Sequence, residues 1–213
     1  MNTDELISML STGVTAVDRG EFARRLGLAL GWAVVGSLLS MLLLLGVQPG
    51  LQQLVAVPMF WGKLGFAAAL VAAGVLATAR LSRPGARLSP VWIAVSAPVL
   101  LLWAGAAYQL IQAGPLERSA LVFGQTWLEC LVNISVLSLP AFAAVLWAMK
   151  GLAPTRLRLA GAAAGMLSGS VGALVYALHC PELAAPFLAI WYVLGIVLTT
   201  MAGALVGPRA LRW

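Results

Sequence analysis

The residues best suited to chemistry in this chain are two cysteines and the polar side chains next to them. Cys130 ends the motif Thr-Trp-x-x-Cys, and Cys180 is the second residue of His-Cys-Pro-Glu. Two thiols can form a disulfide when their Cα atoms lie about 4.4–6.8 Å apart. Thiolates and imidazole also bind soft metals such as zinc, cadmium or copper(I). His179, Glu182 and Glu129 are therefore candidates to complete a metal site or to surround the thiols.

Three interpretations of this cluster remain open on the residues alone. The spacing of the two cysteines and His179 matches no recognised metal motif, although Asn133 lies one helical turn from Glu129 and is placed to orient it. Free cysteines are also often simply small buried hydrophobes. The chain has no Cys-x-x-Cys motif, which disfavours thioredoxin-type exchange. A redox pair, a transient metal site and two buried thiols are all compatible with the sequence, and no resident cofactor is expected.

The elements that must position these residues are membrane-spanning helices. Of the 213 residues, 62% are hydrophobic and 9% are charged, whereas a soluble domain carries about 25% charged residues. Six apolar runs each have about 20 residues, the length that a helix needs to cross the hydrocarbon core of a bilayer. The fold class predicted is all-α, a six-helix transmembrane bundle over residues 26–213 that follows a short segment over residues 1–25. The six predicted spans are Leu26–Gly46, Met59–Ala79, Val91–Ile111, Trp127–Met149, Leu159–Leu178 and Phe187–Val206.

Basic residues alternate between the two sides of the predicted membrane. Cytoplasmic loops carry an excess of Lys and Arg, so the alternation predicts that both termini lie in the cytoplasm. Cys130 and Cys180 then face the extracytoplasmic side, which is oxidising in a bacterium. A net charge of +6 is also found in proteins that bind nucleic acid, but here the basic residues cluster beside hydrophobic segments rather than on one polar face, so no direct binding of nucleic acid is expected. The residues on the predicted cytoplasmic side are Arg19, Arg24, Arg25, Arg80, Arg83, Arg87, Lys150, Arg156, Arg158, Arg209 and Arg212; Lys63 and Arg118 lie on the other side.

Glycines and prolines within the spans predict details of helix packing. Gly161, Gly165 and Gly169 recur every four residues in span five. Such a stripe of small residues lets a neighbouring helix approach closely. Pro98 and Pro140 interrupt spans three and four, and each is expected to kink its helix because it removes a backbone donor.

Lys63 and the aromatic residues are predicted to anchor the helices at the membrane surface. Lys63 is the only basic residue inside an apolar run, one turn from its end, and its stem is expected to snorkel back to the interface. Aromatic side chains near span ends are typical of an interfacial belt. The residues assigned to this belt are Trp61, Trp92, Trp103, Trp127, Trp147, Trp191 and Tyr192.

The segment over residues 1–25 predicts one short amphipathic helix. Thr3 is expected to cap it, and Gly13 is expected to end it. Two interpretations remain for its apolar stripe, because the helix can lie on the inner leaflet or dock in a groove of a cytosolic protein. The neighbouring acidic residues would be repelled by anionic lipid, which slightly favours a protein partner. The stripe consists of Leu6, Ile7 and Leu10, with Met9 beside them.

Motifs along nearly the whole chain resemble a known family. They include Pro-x-Phe-Trp-x-Lys-Leu from Pro58, Arg-Pro-Gly-Ala-Arg from Arg83 and Thr-Trp-x-x-Cys-Leu from Thr126. Further motifs are Leu-Ser-Leu-Pro, Ala-Pro-Thr-Arg, Tyr-Ala-Leu-His-Cys-Pro-Glu, Trp-Tyr-x-Leu-Gly and the final Gly-Pro-Arg-x-Leu-Arg-Trp. In these motifs the chain resembles the six-span membrane anti-sigma factors, the family of the negative regulator of sigma F (NrsF).

This resemblance implies a function in transcriptional regulation. A protein similar to this family would hold an extracytoplasmic-function sigma factor at the bacterial inner membrane and release it under heavy-metal or oxidative stress. The family's two extracytoplasmic cysteines correspond to Cys130 and Cys180, with a sensing role. The N-terminal segment, with Leu6, Ile7 and Leu10, is the natural contact for sigma. The other partner is the lipid bilayer itself.

Two functions from other classes are less favoured. A membrane thiol oxidoreductase would need a second redox-active pair or a polar quinone site, and the chain has only two cysteines. A small metal-ion exporter would need ligands at mid-membrane, where no acidic residue lies. A regulator without enzymatic activity is therefore predicted.

Overall fold

The computed structural model describes residues 2–12, 20–83, 85–152 and 154–212. It is 82% helical, and the described residues contain no strand. The helices are α1 (Thr3–Ser11), α2 (Glu21–Leu44), α3 (Leu51–Val55), α4 (Pro58–Leu81), α5 (Ser89–Gln112), α6 (Pro115–Phe123), α7 (Trp127–Lys150), α8 (Leu157–Tyr176), α9 (Ala185–Phe187) and α10 (Val193–Ala210). A π-helical turn, Leu188–Tyr192, joins α9 to α10.

The prediction of six membrane-spanning helices is confirmed. Six helical segments of the described chain are long and apolar enough to cross a bilayer; they contain α2, α4, α5, α6 with α7, α8, and α9 with α10. Successive spans run in opposite directions. The connections after α2, α5 and α8 therefore meet at one end of the bundle, which we call the thiol end. The connections after α4 and α7 meet at the other, which we call the basic end.

Helix α8 is the centre of the bundle and packs against α2, α4, α7 and α10. Across its most apolar stretch 78% of the residues are buried, against 11% in α5, which lies at the periphery. Its glycine stripe has the predicted role. A Cβ atom on Gly161 would overlap the carbonyl oxygen of Gly203, and one on Gly165 would overlap that of Thr199. The backbones of α8 and α10 thus approach too closely for any side chain at these positions.

Pro140 lies inside α7 at its contact with α2, and α7 continues through it. A Cβ atom on Gly36 would lie 2.8 Å from the proline ring. Next to this contact, the buried Ser37 hydroxyl donates to the carbonyl oxygen of Leu137 at 2.8 Å. A side chain of α2 therefore hydrogen-bonds the backbone of α7 one turn before the proline. Pro98 likewise lies inside an unbroken helix, α5.

Helix α1 is short and none of its residues is buried. Its N-cap is Asn2 rather than the predicted Thr3, which is the first helical residue. The Asn2 amide donates to the Glu5 carboxylate at 3.5 Å. The helix ends at Ser11, while the predicted stop at Gly13 lies outside the described residues.

Three elements were not predicted. Helices α3 and α6 lie in the connections at the thiol end, where the sequence suggested only loops. The π-turn interrupts what the sequence indicated as one plain span, Phe187–Val206. π-Turns of this kind insert one residue into an α-helix and occur frequently at functional sites.

The belt assignment is wrong for Tyr192, which is fully buried. The π-turn that contains it directs its ring into the bundle, where the ring centroid lies 6.1 Å from that of Tyr176. Trp61, Trp92 and Trp147 are exposed as a belt requires.

Candidate functional site

The candidate site is formed by the segment that leads from α8 to α9 at the thiol end. Helix α8 ends at Tyr176, whose carbonyl oxygen accepts the amide of Cys180 at 2.9 Å. The chain then extends to Ala184, and Pro186 at the start of α9 begins the sixth span. We call residues 177–184 the thiol segment. This turn buries the Cys180 side chain in the bundle, so that it has no exposed surface.

The two cysteines lie in one buried core cluster and are both free thiols. Neither Cys130 nor Cys180 has any exposed surface. Cys130 lies on the first turn of α7, where its amide donates to the Thr126 carbonyl oxygen at 2.8 Å. The same cluster contains Tyr176 and Tyr192. This arrangement is compatible with the prediction that the two thiols act together. Both thiols are inaccessible to water.

Lys63 on α4 lies beside the thiols and is fully buried. Its Nζ donates to the carbonyl oxygen of Cys180 at 2.7 Å and to that of Glu182 at 3.1 Å. The expectation that this side chain snorkels to the interface is therefore wrong. The stem does extend toward the near end of the helix, but the ammonium binds backbone oxygens of the thiol segment in place of water.

The environment of Cys180 favours the protonated thiol. Burial raises the pKa of Cys180, and the nearby ammonium of Lys63 opposes part of that rise. A buried thiolate is costly because a charge loses its hydration on burial. In this buried position the Cys180 thiol is therefore protected from reagents by both its burial and its protonation.

The other candidate ligands each have a separate partner. His179 Nδ1 lies 3.0 Å from the carbonyl oxygen of Gly46, so this nitrogen carries the proton and donates. Glu182 Oε1 accepts the backbone amide of Gln125 at 2.8 Å. Glu129 is exposed. Among the described residues no three His, Cys, Asp or Glu side chains are arranged to hold a metal ion.

Asn133, which the sequence suggested could orient Glu129, instead interacts with the Tyr176 side chain. The Tyr192 hydroxyl faces the thiol of Cys180. No hydrogen bond of good geometry joins that hydroxyl to any group of the described residues. The aromatic wall of the site is thus formed by the end of α8 and by the π-turn.

Hydrogen bonds from several connections converge on the thiol segment. The Gln48 amide donates to the Leu178 carbonyl oxygen at 3.3 Å. The Ala185 amide, just after the segment, donates to Gln109 Oε1 at 3.0 Å. Together with the bonds of Lys63, His179 and Glu182, these contacts join the segment to every other connection at the thiol end. A displacement of the thiol segment would therefore alter its contacts with several helices at once.

Sequence reasoning missed several of these partners. Gly46 and Gln125 contribute only backbone atoms, which no side-chain pattern reveals. Lys63 did carry a signal, because an ionisable residue inside an apolar run usually marks a functional position. The buried Tyr192 could not be separated from the belt because a π-turn has no clear sequence signature.

The apolar stripe of α1 lies apart from this site. Leu6, Ile7 and Leu10 are all exposed, with exposed fractions of 37%, 58% and 68%. A stripe of this kind without cover is typical of a helix that binds a partner or a membrane surface.

At the basic end, arginines from two connections line one cleft. Arg80 lies in the last turn of α4, Arg83 follows that helix, and Arg156 precedes α8. Arg80 also donates to the carbonyl oxygen of Arg87 at 3.2 Å. The cleft concentrates positive charge at the end of the bundle opposite to the thiols.

Comparison with known proteins gives the family. The protein-family model described as "Negative regulator of sigma F" (NrsF) matches residues 10–213 of the chain. The chain is 52% identical over its full length to the "Probable anti-sigma-F factor NrsF" of Azospira oryzae. It is 41% identical to the "Anti-sigma-F factor NrsF" of Caulobacter vibrioides, again with both chains fully covered. No solved structure matches the chain. The resemblance read from the motifs is confirmed, and the chain belongs to the NrsF family.

Proposed function

We propose that this protein is an anti-sigma factor that holds an extracytoplasmic-function sigma factor at the bacterial inner membrane. The observation that carries the proposal is its full-length similarity to two proteins named as anti-sigma-F factors. In this proposal both termini and the basic end face the cytoplasm, as the distribution of Lys and Arg predicts. The thiol end then faces the extracytoplasmic compartment.

The proposed contact for sigma is the apolar stripe of α1, formed by Leu6, Ile7 and Leu10. An amphipathic helix gains affinity by laying its apolar face in a hydrophobic groove of its partner. The exposure of all three side chains supports this role, since they have no cover of their own. The arginine cleft at the basic end lies on the same side of the membrane and would attract acidic residues of the same partner.

The proposed sensor is the pair Cys130 and Cys180. Oxidation would remove two electrons and two protons from the two thiols, transfer them to the oxidant and leave one disulfide bond. Capture of a soft metal ion would instead replace the two thiol protons. His179 could bind a metal through Nε2 while Nδ1 still donates to Gly46, and Glu182 through Oε2 while Oε1 still accepts from Gln125. The two thiols, however, are fully buried and must first become accessible. Both routes begin with displacement of the thiol segment.

The change would reach the basic end through packed helices. Cys130 belongs to α7, Cys180 directly follows α8, and these helices pack against each other. Helices move as rigid bodies, and Pro140 offers a hinge in α7. A coupling of about 1–3 kcal/mol between the ends would change sigma affinity about 5- to 150-fold.

The test is purification of the intact protein in detergent from its own cells, followed by mass spectrometry of co-eluting proteins. A sigma factor should be retained by the wild type and lost when Leu6, Ile7 and Leu10 are replaced by Asp. The single change Leu10→Asp should already weaken retention, whereas Ser8→Asp, which adds the same charge to the opposite face of α1, is its matched control and should retain sigma. Recovery of thiol carriers or metal in place of sigma would contradict the proposal and favour a redox or transport function.

A further inference from the structure

Lys63 is a buried cation whose charge is balanced only by backbone oxygens. Among the described residues no carboxylate forms an ion pair with it, because the Glu182 side chain binds Gln125 instead. The nearest aromatic rings, Phe60 and Tyr192, have their centroids 6.0 Å from Nζ. Removing an ammonium from water is costly unless hydrogen bonds replace its hydration. The carbonyl oxygens of Cys180 and Glu182 supply that replacement.

The burial of Lys63 and the closure of the thiol segment therefore depend on each other. The ammonium remains dry only while residues 180–182 lie over it. In turn, those residues are held by charge-assisted hydrogen bonds, which are about twice as strong as neutral ones. The ties of the segment from His179 and Gln48 join neutral groups, whereas the carboxylate of Glu182, two residues after Cys180, forms a second charge-assisted bond with the Gln125 amide. Lys63 thus supplies a charge-assisted bond that ends on the Cys180 backbone itself.

We propose that Lys63 is a positioning residue that keeps Cys180 closed and unreactive, so that the strength of its two hydrogen bonds sets how readily the thiol meets a reagent. The bond to the carbonyl oxygen of Cys180 fixes the cysteine backbone directly. Cys130, by contrast, is held by α7 and has no bond to Lys63. The control exerted by Lys63 is therefore specific for one thiol of the pair.

This assignment explains how two neighbouring thiols can remain reduced in an oxidising compartment. An oxidant or a soft metal reacts with a thiolate that it can reach. Cys180 is out of reach until the segment opens, so the opening equilibrium sets the sensitivity. That Cys180 acts as a sensor rests on the proposed function, whereas the closure by Lys63 does not.

The test is pulsed alkylation of the full-length reduced protein in detergent. N-ethylmaleimide is applied for short times, the protein is denatured, and the remaining thiols are labelled with the deuterated reagent. Mass spectrometry then gives a separate rate for each cysteine. Lys63→Met keeps most of the side-chain volume and removes the charged donor, whereas Lys63→Arg keeps a charged donor. Lys150→Met, an exposed lysine at the basic end, is the matched control.

Because two hydrogen bonds to a charged group are lost, Lys63→Met should raise the labelling rate of Cys180 by about tenfold or more. In the same variant, the labelling rate of Cys130 should change by less than about threefold relative to wild type. The labelling rate of Cys180 in Lys63→Arg should be closer to the wild-type rate than that in Lys63→Met. In Lys150→Met the rate should equal that of wild type. His179→Phe, which removes a neutral tie, should accelerate Cys180 less than Lys63→Met does.

Two results would overturn the proposal. One is an unchanged Cys180 rate in Lys63→Met; the other is an equal rise at both cysteines, which would indicate general loosening of the bundle. Neither result depends on sigma binding, which the co-purification described above measures separately. Failure of the closure by Lys63 can therefore be distinguished from failure of the anti-sigma function.

Discussion

The carboxylate of Glu182 accepts the backbone amide of Gln125 at 2.8 Å and so joins the thiol segment to the turn between α6 and α7. Gly124 lies directly before that amide, with φ of 54° and ψ of −152°. A Cβ atom at Gly124 would lie 2.7 Å from a Glu182 carboxylate oxygen. The turn thus needs glycine for its backbone conformation and for the space that Glu182 occupies.

Gly124→Ala should therefore destabilise the protein. The strained backbone costs about 1–3 kcal/mol, and displacement of Glu182 adds the loss of its hydrogen bond. Thermal unfolding in detergent measures the effect. Gly114→Ala is the control, since Gly114 has a negative φ and open space at its Cβ position. Equal midpoints for the two variants would contradict this account of the turn.

Gly165→Ala should loosen the contact between α8 and α10. The added Cβ atom would overlap the backbone of Thr199 and Thr200, so the helices must separate along their length. Overpacking in a tight interior typically costs about 1–3 kcal/mol. The unfolding midpoint should fall clearly below that of Gly31→Ala, a helical glycine of α2 with nothing within 4 Å of its Cβ position. A midpoint equal to that of the control would show that the close approach is dispensable.

Stability should decrease as the pH rises above about 9, and Cys180 should contribute to the decrease. Burial raises the pKa of this thiol in the folded protein. The folded state therefore retains a proton that the unfolded state loses, and a single such group lowers stability by at most about 1.4 kcal/mol per pH unit. Unfolding measured between pH 7 and pH 10 should show a shallower decrease in Cys180→Ala than in wild type. Parallel curves would exclude a buried protonated thiol at this position.

Cys130→Ala and Cys180→Ala should each abolish the response to stress while sigma remains bound. Both changes remove one thiol of the proposed pair, so neither a disulfide nor a two-thiolate metal site can form. The measurement is sigma-dependent transcription in cells before and after treatment with diamide or cadmium. Ala is preferred to Ser because a buried hydroxyl without a partner would cost about 1–3 kcal/mol. A normal response in both variants would remove the cysteines from the mechanism.

The sequence predicted those parts of the fold that depend on composition and local spacing. Hydrophobic run length located all six spans, since a helix must be of fixed length to cross a bilayer. The glycine stripe predicted the close approach of α8 because three small residues on one face have few other uses. These features are properties of single helices, so they require no knowledge of the neighbours.

The interior of the site was not predictable in the same way. Lys63 contacts Cys180 and Glu182, which are separated from it in the sequence by 117 and 119 positions. Both contacts end on backbone carbonyl oxygens, which every residue possesses. The predicted ligands His179 and Glu182 lie where the motif suggested, but each binds a backbone group in a turn. Such long-range pairings with the main chain follow from tertiary packing, which side-chain types do not specify.

The π-turn at Leu188–Tyr192 has a consequence for the phase of the sixth span. One additional residue rotates everything beyond it by about 100° relative to a continuous α-helix. The face before the turn meets α5, whereas α10 beyond it meets α8. Removing a single residue here would leave an apolar helix of nearly the same length, yet the two halves would fall out of phase with their neighbours. Either the Tyr192 ring would no longer pack beside the thiols, or α10 would no longer contact the glycines of α8. A continuous α-helix cannot orient both faces correctly at once.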